Sequence, residues 1–281
     1  MSVNSRLPLA ATIHATEYGR NRGIHNDIQR RIHSLEERLV NSADVVICCS
    51  SYMVEEITRL FGVTREKLFL IPNGVDPANL GIPRQLVPGE KEPHSGGKTI
   101  LFIGRLVPEK GVQVLLEAMP QLIQQFPEIK LLIGGTGPYT DYLEHRAEEL
   151  GLAGKVEFLV FLDETQRNYH LKHADIAVFP SLYEPFGIVA LEAMTAQIPV
   201  IVSDIGGLSE VVSHGIDGYK APPGRPDLLA YYIREILVNP GLAMDLTRRA
   251  WNKVLTVYDW NNIAVETLDV YREAGIIARG N

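Results

Sequence analysis

Short apolar runs alternate with stretches of helical spacing along most of the chain. Strands are predicted at 9–13, 44–49 and 67–71, and again at 99–103, 129–133, 155–159, 175–179, 199–203 and 218–221. Between the first two, Ile24, Ile28, Ile32, Leu35 and Leu39 recur at helical spacing and predict one long amphipathic helix. Ser51 can cap a helix running to about residue 61. Further helices are predicted at 110–125, 138–150, 164–173, 187–197 and 226–238, with a short one near 207–212. Helices at 241–257 and 260–274 close the chain. Strands that alternate with helices imply a parallel sheet covered on both faces.

The alternation breaks once. Residues 72–98 hold Pro72, Pro77, Pro83, Pro88 and Pro93 among glycines and charges, the composition of a linker. The pattern therefore divides the chain into a shorter αβ segment over 1–77, an interdomain linker over 78–98, a complete doubly wound α/β domain over 99–258 and a closing segment over 259–281. There is no internal repeat.

Composition narrows the class. With 281 residues, 46% hydrophobic and 22% charged, the chain has the make-up of a globular protein of one large domain or two. A net charge of −7 argues against a broad nucleic-acid footprint. No apolar run approaches the length of a membrane helix, and the N-terminus lacks a signal-peptide series. Cys48 and Cys49 are adjacent in a predicted strand, so their side chains point to opposite faces, which argues against a bond between them. Two thiols in a strand fit a cytoplasmic protein.

The candidate chemistry collects at loops that follow strands. Residues 180–199 read P-S-L-Y-E-P-F-G-I-V-A-L-E-A-M-T-A-Q-I-P. Glu184 falls on a strand-to-helix loop and Glu192 inside the next helix, about 7 Å along its axis. The first amides of that helix, near Gly187 and Ile188, have no partner within it and suit an anion or a polar hydroxyl. A ligand with a central phosphate and a sugar at each end fits this spread. Gly104, Arg105 and Lys110 follow the strand at 99–103, and the two cations suit a diphosphate. Gly134-Gly135-Thr136-Gly137-Pro138 forms a glycine loop that is neither a Rossmann fingerprint nor a Walker loop. His14 ends the first strand, and Arg20, Arg22, Arg30, Arg31 and Arg38 make its neighbourhood locally basic.

The 180–199 stretch resembles the E-x₇-E motif of retaining glycosyltransferases of family 4, which have the GT-B fold. The resemblance runs from about residue 9 to about 273, through Gly104-Arg105 with Lys110, the Gly-x-Gly-Pro loop, Pro72-Asn73-Gly74-Val75-Asp76 and Tyr258-Asp259-Trp260. It implies a GT-B fold with a complete Rossmann-like C-terminal domain and a partial N-terminal one, cut short at its start. It implies substrate-binding roles for Gly104, Arg105, Lys110, Gly135, Gly137, Glu184, Phe186, Gly187, Ile188 and Glu192. Catalytic roles would fall to His14, Glu184, Arg105 and Lys110, with Glu184 at the donor sugar and Glu192 at the ribose. The implied reaction moves a hexose from a UDP-, ADP- or GDP-sugar to a hydroxyl acceptor with retention, requiring neither metal nor cofactor. The opening H-A-T-E-Y-G-R-N-R-G-I-H is most similar to glycogen-synthase-like members and suggests a glucan acceptor. Two departures stand out: Ala15 follows His14 where many members have Asp, and Val160 stands where the family usually carries glycine beside the base. The motif set equally fits a nucleotide-sugar-binding remnant or one half of a split enzyme, for which self-association or a partner fragment is expected. A nucleotide-sugar epimerase shares the fold, but E-x₇-E with Gly-Arg and Lys argues against it.

Overall fold

A computed structural model describes residues 7–80 and 97–280. Two compact units divide them, one built from residues up to Gly74 together with Tyr258 onward, the other from Val75 to Val257. The core of the expected linker, 81–96, lies outside the described residues. Its flanks are a short 3₁₀ turn, Pro77–Leu80, and the lead into the next strand.

In the first unit the strands β1 (Ala10–Ile13), β2 (Val45–Cys48) and β3 (Leu68–Leu70) form a parallel sheet in that order, with Val46 opposite both Ala11 and Leu68. The helices between them are α1 (Glu17–Asn21), α2 (Asp27–Ser42) and α3 (Ser51–Phe61). The long helix expected from Ile24 is α2, which starts at Asp27, and α1 is a separate short helix ahead of it. Asn26 caps α2 by accepting from the Gln29 amide, so Ile24 falls outside it. Thr16 caps α1 and donates to the buried carboxylate of Glu56 at 2.6 Å, where a loop was expected. Ser50, one residue earlier than expected, caps α3, and Gly62 ends it. The apolar stripe of α2 is not covered: Ile28 is 74% and Leu35 53% exposed. The closing helix, Trp260–Gly280, lays Val270 and Ala274 on Val45 and Ile47 of β2. Cys48 and Cys49 are both buried and are not joined to each other.

The second unit contains, in order, β4 (Thr99–Ile103), α4 (Val112–Gln125), β5 (Lys130–Gly134), α5 (Thr140–Glu149), β6 (Val156–Leu159), α6 (Glu164–His173), β7 (Ile176–Phe179), α7 (Ile188–Thr195), β8 (Val200–Ser203), α8 (Leu208–Val211), β9 (Tyr219–Ala221), α9 (Pro226–Val238) and α10 (Pro240–Val257). The closing helix is accordingly α11. The six strands are all parallel in the order β6-β5-β4-β7-β8-β9. This is the doubly wound order whose direction reverses between β4 and β7, and ligands bind such sheets outside the carboxyl ends of the strands at that reversal. β7 and β8 are buried at every residue, as strands covered on both faces must be. Helix α4 starts at Val112, later than expected. Lys110 instead ends a 3₁₀ turn, Pro108–Lys110, and Gly111 breaks the path with φ 71°.

Candidate functional site

The loops after β4, β5, β7 and β8 are joined through their backbones. The amides of Leu182 and Tyr183, after β7, donate to the Glu109 carbonyl, after β4, at 2.7 and 3.3 Å. A Cβ on Gly111 would overlap the Pro180 carbonyl oxygen, so only glycine lets these loops close up. The Leu106 amide donates to Thr136 O, and the Tyr139 amide donates back to Leu106 O, both at 3.0 Å. Gly135 and Gly137 pack against the carbonyls of Gly104 and Leu106. From the loop after β8, the Gly207 amide donates to Glu184 O at 2.9 Å. This loop is thus a brace for Glu184.

This scaffold brings Lys110 and Glu184 together. Lys110 Nζ lies 2.5 Å from Glu184 Oε2, which also accepts from Ser181 Oγ at 3.3 Å. Both side chains are largely enclosed, at 20% and 15% exposure. Arg105 differs: its side chain is 66% exposed and stands 3.8 Å from Glu109. It is an exposed cation on the same loop as Lys110. Phe186 is buried, whereas Ile188 is 43% exposed. Gly187 precedes α7 with φ 103°, and no side chain caps the helix there. The Ala190 amide already donates to the Gly187 carbonyl at 3.0 Å, and the Ile188 and Val189 amides ahead of it have no partner within the helix.

Helix α7 is apolar apart from Glu192 and Thr195, and most of it is buried. Glu192 is accordingly enclosed, and burial pushes its carboxyl above the usual carboxylate range. Arg167 of α6 opposes that push: its Nη1 lies 3.1 Å from Glu192 Oε1. Nothing in the sequence spacing marked Arg167, which sits in a polar helix 25 residues upstream of Glu192 and reads as a solvated side chain. Val160 and Phe161, just past β6, are 76% and 74% exposed. His14 belongs to the other unit, where it stands exposed just past β1 and its carbonyl faces Cys49 Sγ.

The chain matches the Glycosyl transferases group 1 family over residues 85–253 and Glycosyltransferase Family 4 over residues 2–79. It is 38% identical over 274 residues to an uncharacterized glycosyltransferase of Methanocaldococcus jannaschii, covering 96% of this chain and 70% of that protein. It is 37% identical over 269 residues to the glycogen synthase of Mycobacterium tuberculosis, covering 95% and 64%. The chain thus spans about two thirds of the length of these relatives. Among solved structures, sucrose-phosphate synthase from Thermosynechococcus elongatus superposes with a TM-score of 0.77 at 27% identity, over 94% of this chain and 67% of that one. The Anabaena protein HepE in complex with UDP-glucose gives 0.79 over 95% and 72%; at 22% identity it bears on the fold alone.

Proposed function

This chain belongs to the Glycosyl transferases group 1 family, with the Rossmann-like α/β architecture of GT-B glycosyltransferases, and we propose that its second unit binds the donor of a retaining hexosyl transfer. The observation that carries the proposal is the pairing of Lys110 with Glu184 where the strand order reverses, with Glu192 one helical turn into α7. A nucleoside-diphosphate sugar matches this layout. Lys110, Arg105 and the first amides of α7 face the diphosphate, Glu184 accepts from hydroxyls of the donor sugar, and Glu192 accepts from the ribose.

The chemistry follows from that placement. The bond between the anomeric carbon and the diphosphate oxygen breaks, and its electron pair leaves with the phosphate. Preorganised cations and amides stabilise that growing charge. The oxygen of an acceptor hydroxyl then takes the anomeric carbon, and its proton passes to the released diphosphate. Side-chain cations suffice for the leaving group, so the reaction is assigned neither metal nor cofactor. The relative from Mycobacterium tuberculosis is named a glycogen synthase, which supports a glucan as the acceptor class.

Calorimetry with UDP-, ADP- and GDP-hexoses tests the donor assignment. One of the three is expected to bind well above the others, and absence of binding by all three would remove the proposal. A second reading keeps donor binding and assigns transfer to a larger assembly. The exposed stripe of α2 favours it, and a transfer assay on the purified chain decides between the two.

A further inference from the structure

Resting on the reading that Glu192 receives the ribose, we infer that Arg167 is the positioning residue for that contact. Its guanidinium holds one carboxylate oxygen of Glu192 and leaves the other for a sugar hydroxyl. The pair is not of the kind seen between solvated side chains. Arg167 Nη1 and Glu192 Oε1 stand 3.1 Å apart with the side chains 28% and 17% exposed, whereas an exposed pair contributes little. Nη1 is the guanidinium atom that meets the carboxylate, and its planar geometry sets the direction of that contact more narrowly than a lysine's point charge would. Arg167 Nε is buried without a hydrogen-bond partner among the described residues.

The helix that carries Arg167 is fixed at its start. Asp163 and Gln166 close a capping box at the start of α6, and the neighbouring Asn168 side chain donates to the Asn79 carbonyl at 3.0 Å. The charged groups that act on the Glu192 carboxyl are Arg167, which draws its pKa down, and Glu164, which raises it further; both lie on α6. Among the described residues, no group from β7, β8, α8 or α10, which pack on α7, joins them. Removing Arg167 leaves burial and Glu164 unopposed. The carboxyl then takes up a proton at a higher pH, and a charge-assisted bond to a hydroxyl is lost with it.

The test measures UDP, ADP and GDP binding by calorimetry from about pH 5 to about pH 8. The variants are R167M, R167K, E192Q and R167M/E192Q, each with a thermal melt. R167M is expected to bind the preferred nucleotide about tenfold more weakly at neutral pH, the scale of one charge-assisted hydrogen bond. Its loss of affinity on acidification should begin at a higher pH than in the parent. R167K should fall between the two. E192Q should bind weakly with little dependence on pH, and adding R167M to it should cost little more. An unchanged pH profile in R167M beside a weakened E192Q would overturn the role of Arg167. So would an R167M loss that is as large in the E192Q background. If R167M does not melt cooperatively, R167K against the parent is judged on the same pH criterion. Unchanged nucleotide binding in E192Q, or no binding of any probe, would instead overturn the ribose reading and this inference with it.

Discussion

Lys110 and Glu184 are 74 residues apart in sequence, yet their charged groups meet at 2.5 Å. They stand on the loops after β4 and β7, the two neighbouring strands where the sheet reverses its order. The cation proposed for the leaving phosphate and the carboxylate proposed for the donor sugar are thereby held side by side. Such preorganisation is what lets charged groups act on a reaction without first being rearranged.

The phosphate assignment predicts a selective loss. Charge-assisted hydrogen bonds contribute roughly 1.5–3 kcal/mol, so K110A or R105A should weaken nucleoside-diphosphate binding about tenfold or more. Binding of the bare nucleoside should change far less. Titration of both ligands against each variant gives the answer, and equal losses would place the cations away from the phosphates.

The two glutamates are expected to separate. E192A should weaken binding of the free nucleotide, because the ribose is part of it. E184A should leave nucleotide affinity close to that of the parent and depress sugar transfer or donor hydrolysis. Calorimetry beside a donor-turnover assay reads both effects. The reverse pattern would mean that the ligand lies the other way round.

Gly111 joins the two loops by close approach, so its replacement should act through the scaffold. In G111A the added methyl overlaps the Pro180 carbonyl and the residue must hold a left-handed backbone. A cost on the order of 2 kcal/mol in stability is expected, together with loss of nucleotide binding. Thermal denaturation and titration check it; a variant that melts and binds like the parent would show that the loops can move apart freely.

The first unit predicts association. Among the described residues β1 pairs with β2 alone, and Ile28 and Leu35 stand exposed on α2. Open strand edges and apolar patches recruit other chains. The purified 281-residue chain is expected to self-associate or to bind a partner fragment while retaining nucleotide affinity, with weak transfer. Replacing Ile28 and Leu35 by lysine should reduce association with little effect on stability. Light scattering beside a transfer assay decides; a monomeric parent chain with robust transfer would refute this expectation.

The sequence by itself determined the elements and the motif-bearing loops. Apolar runs such as Ile176–Phe179 bury both faces, and that requirement leaves a period any reader of the chain can see. Gly-Arg, Lys110 and the two glutamates were legible because short motifs tie a residue type to a strand-to-helix loop. Local caps were less legible. Ile24 shares the helical period of α2, but the Asn26 side chain satisfies the first amides and starts the helix after it. Lys110 was placed at a helix start, whereas the left-handed Gly111 inserts a separate turn. Only the tertiary structure decided which loops become neighbours. Strand order is set by how crossovers pack across the whole sheet, so the meeting of Lys110 with Glu184 has no local signature. The same holds for Arg167. A solvated arginine and one that holds a buried carboxylate look alike along the chain, and only the packing of α6 beside α7 distinguishes them.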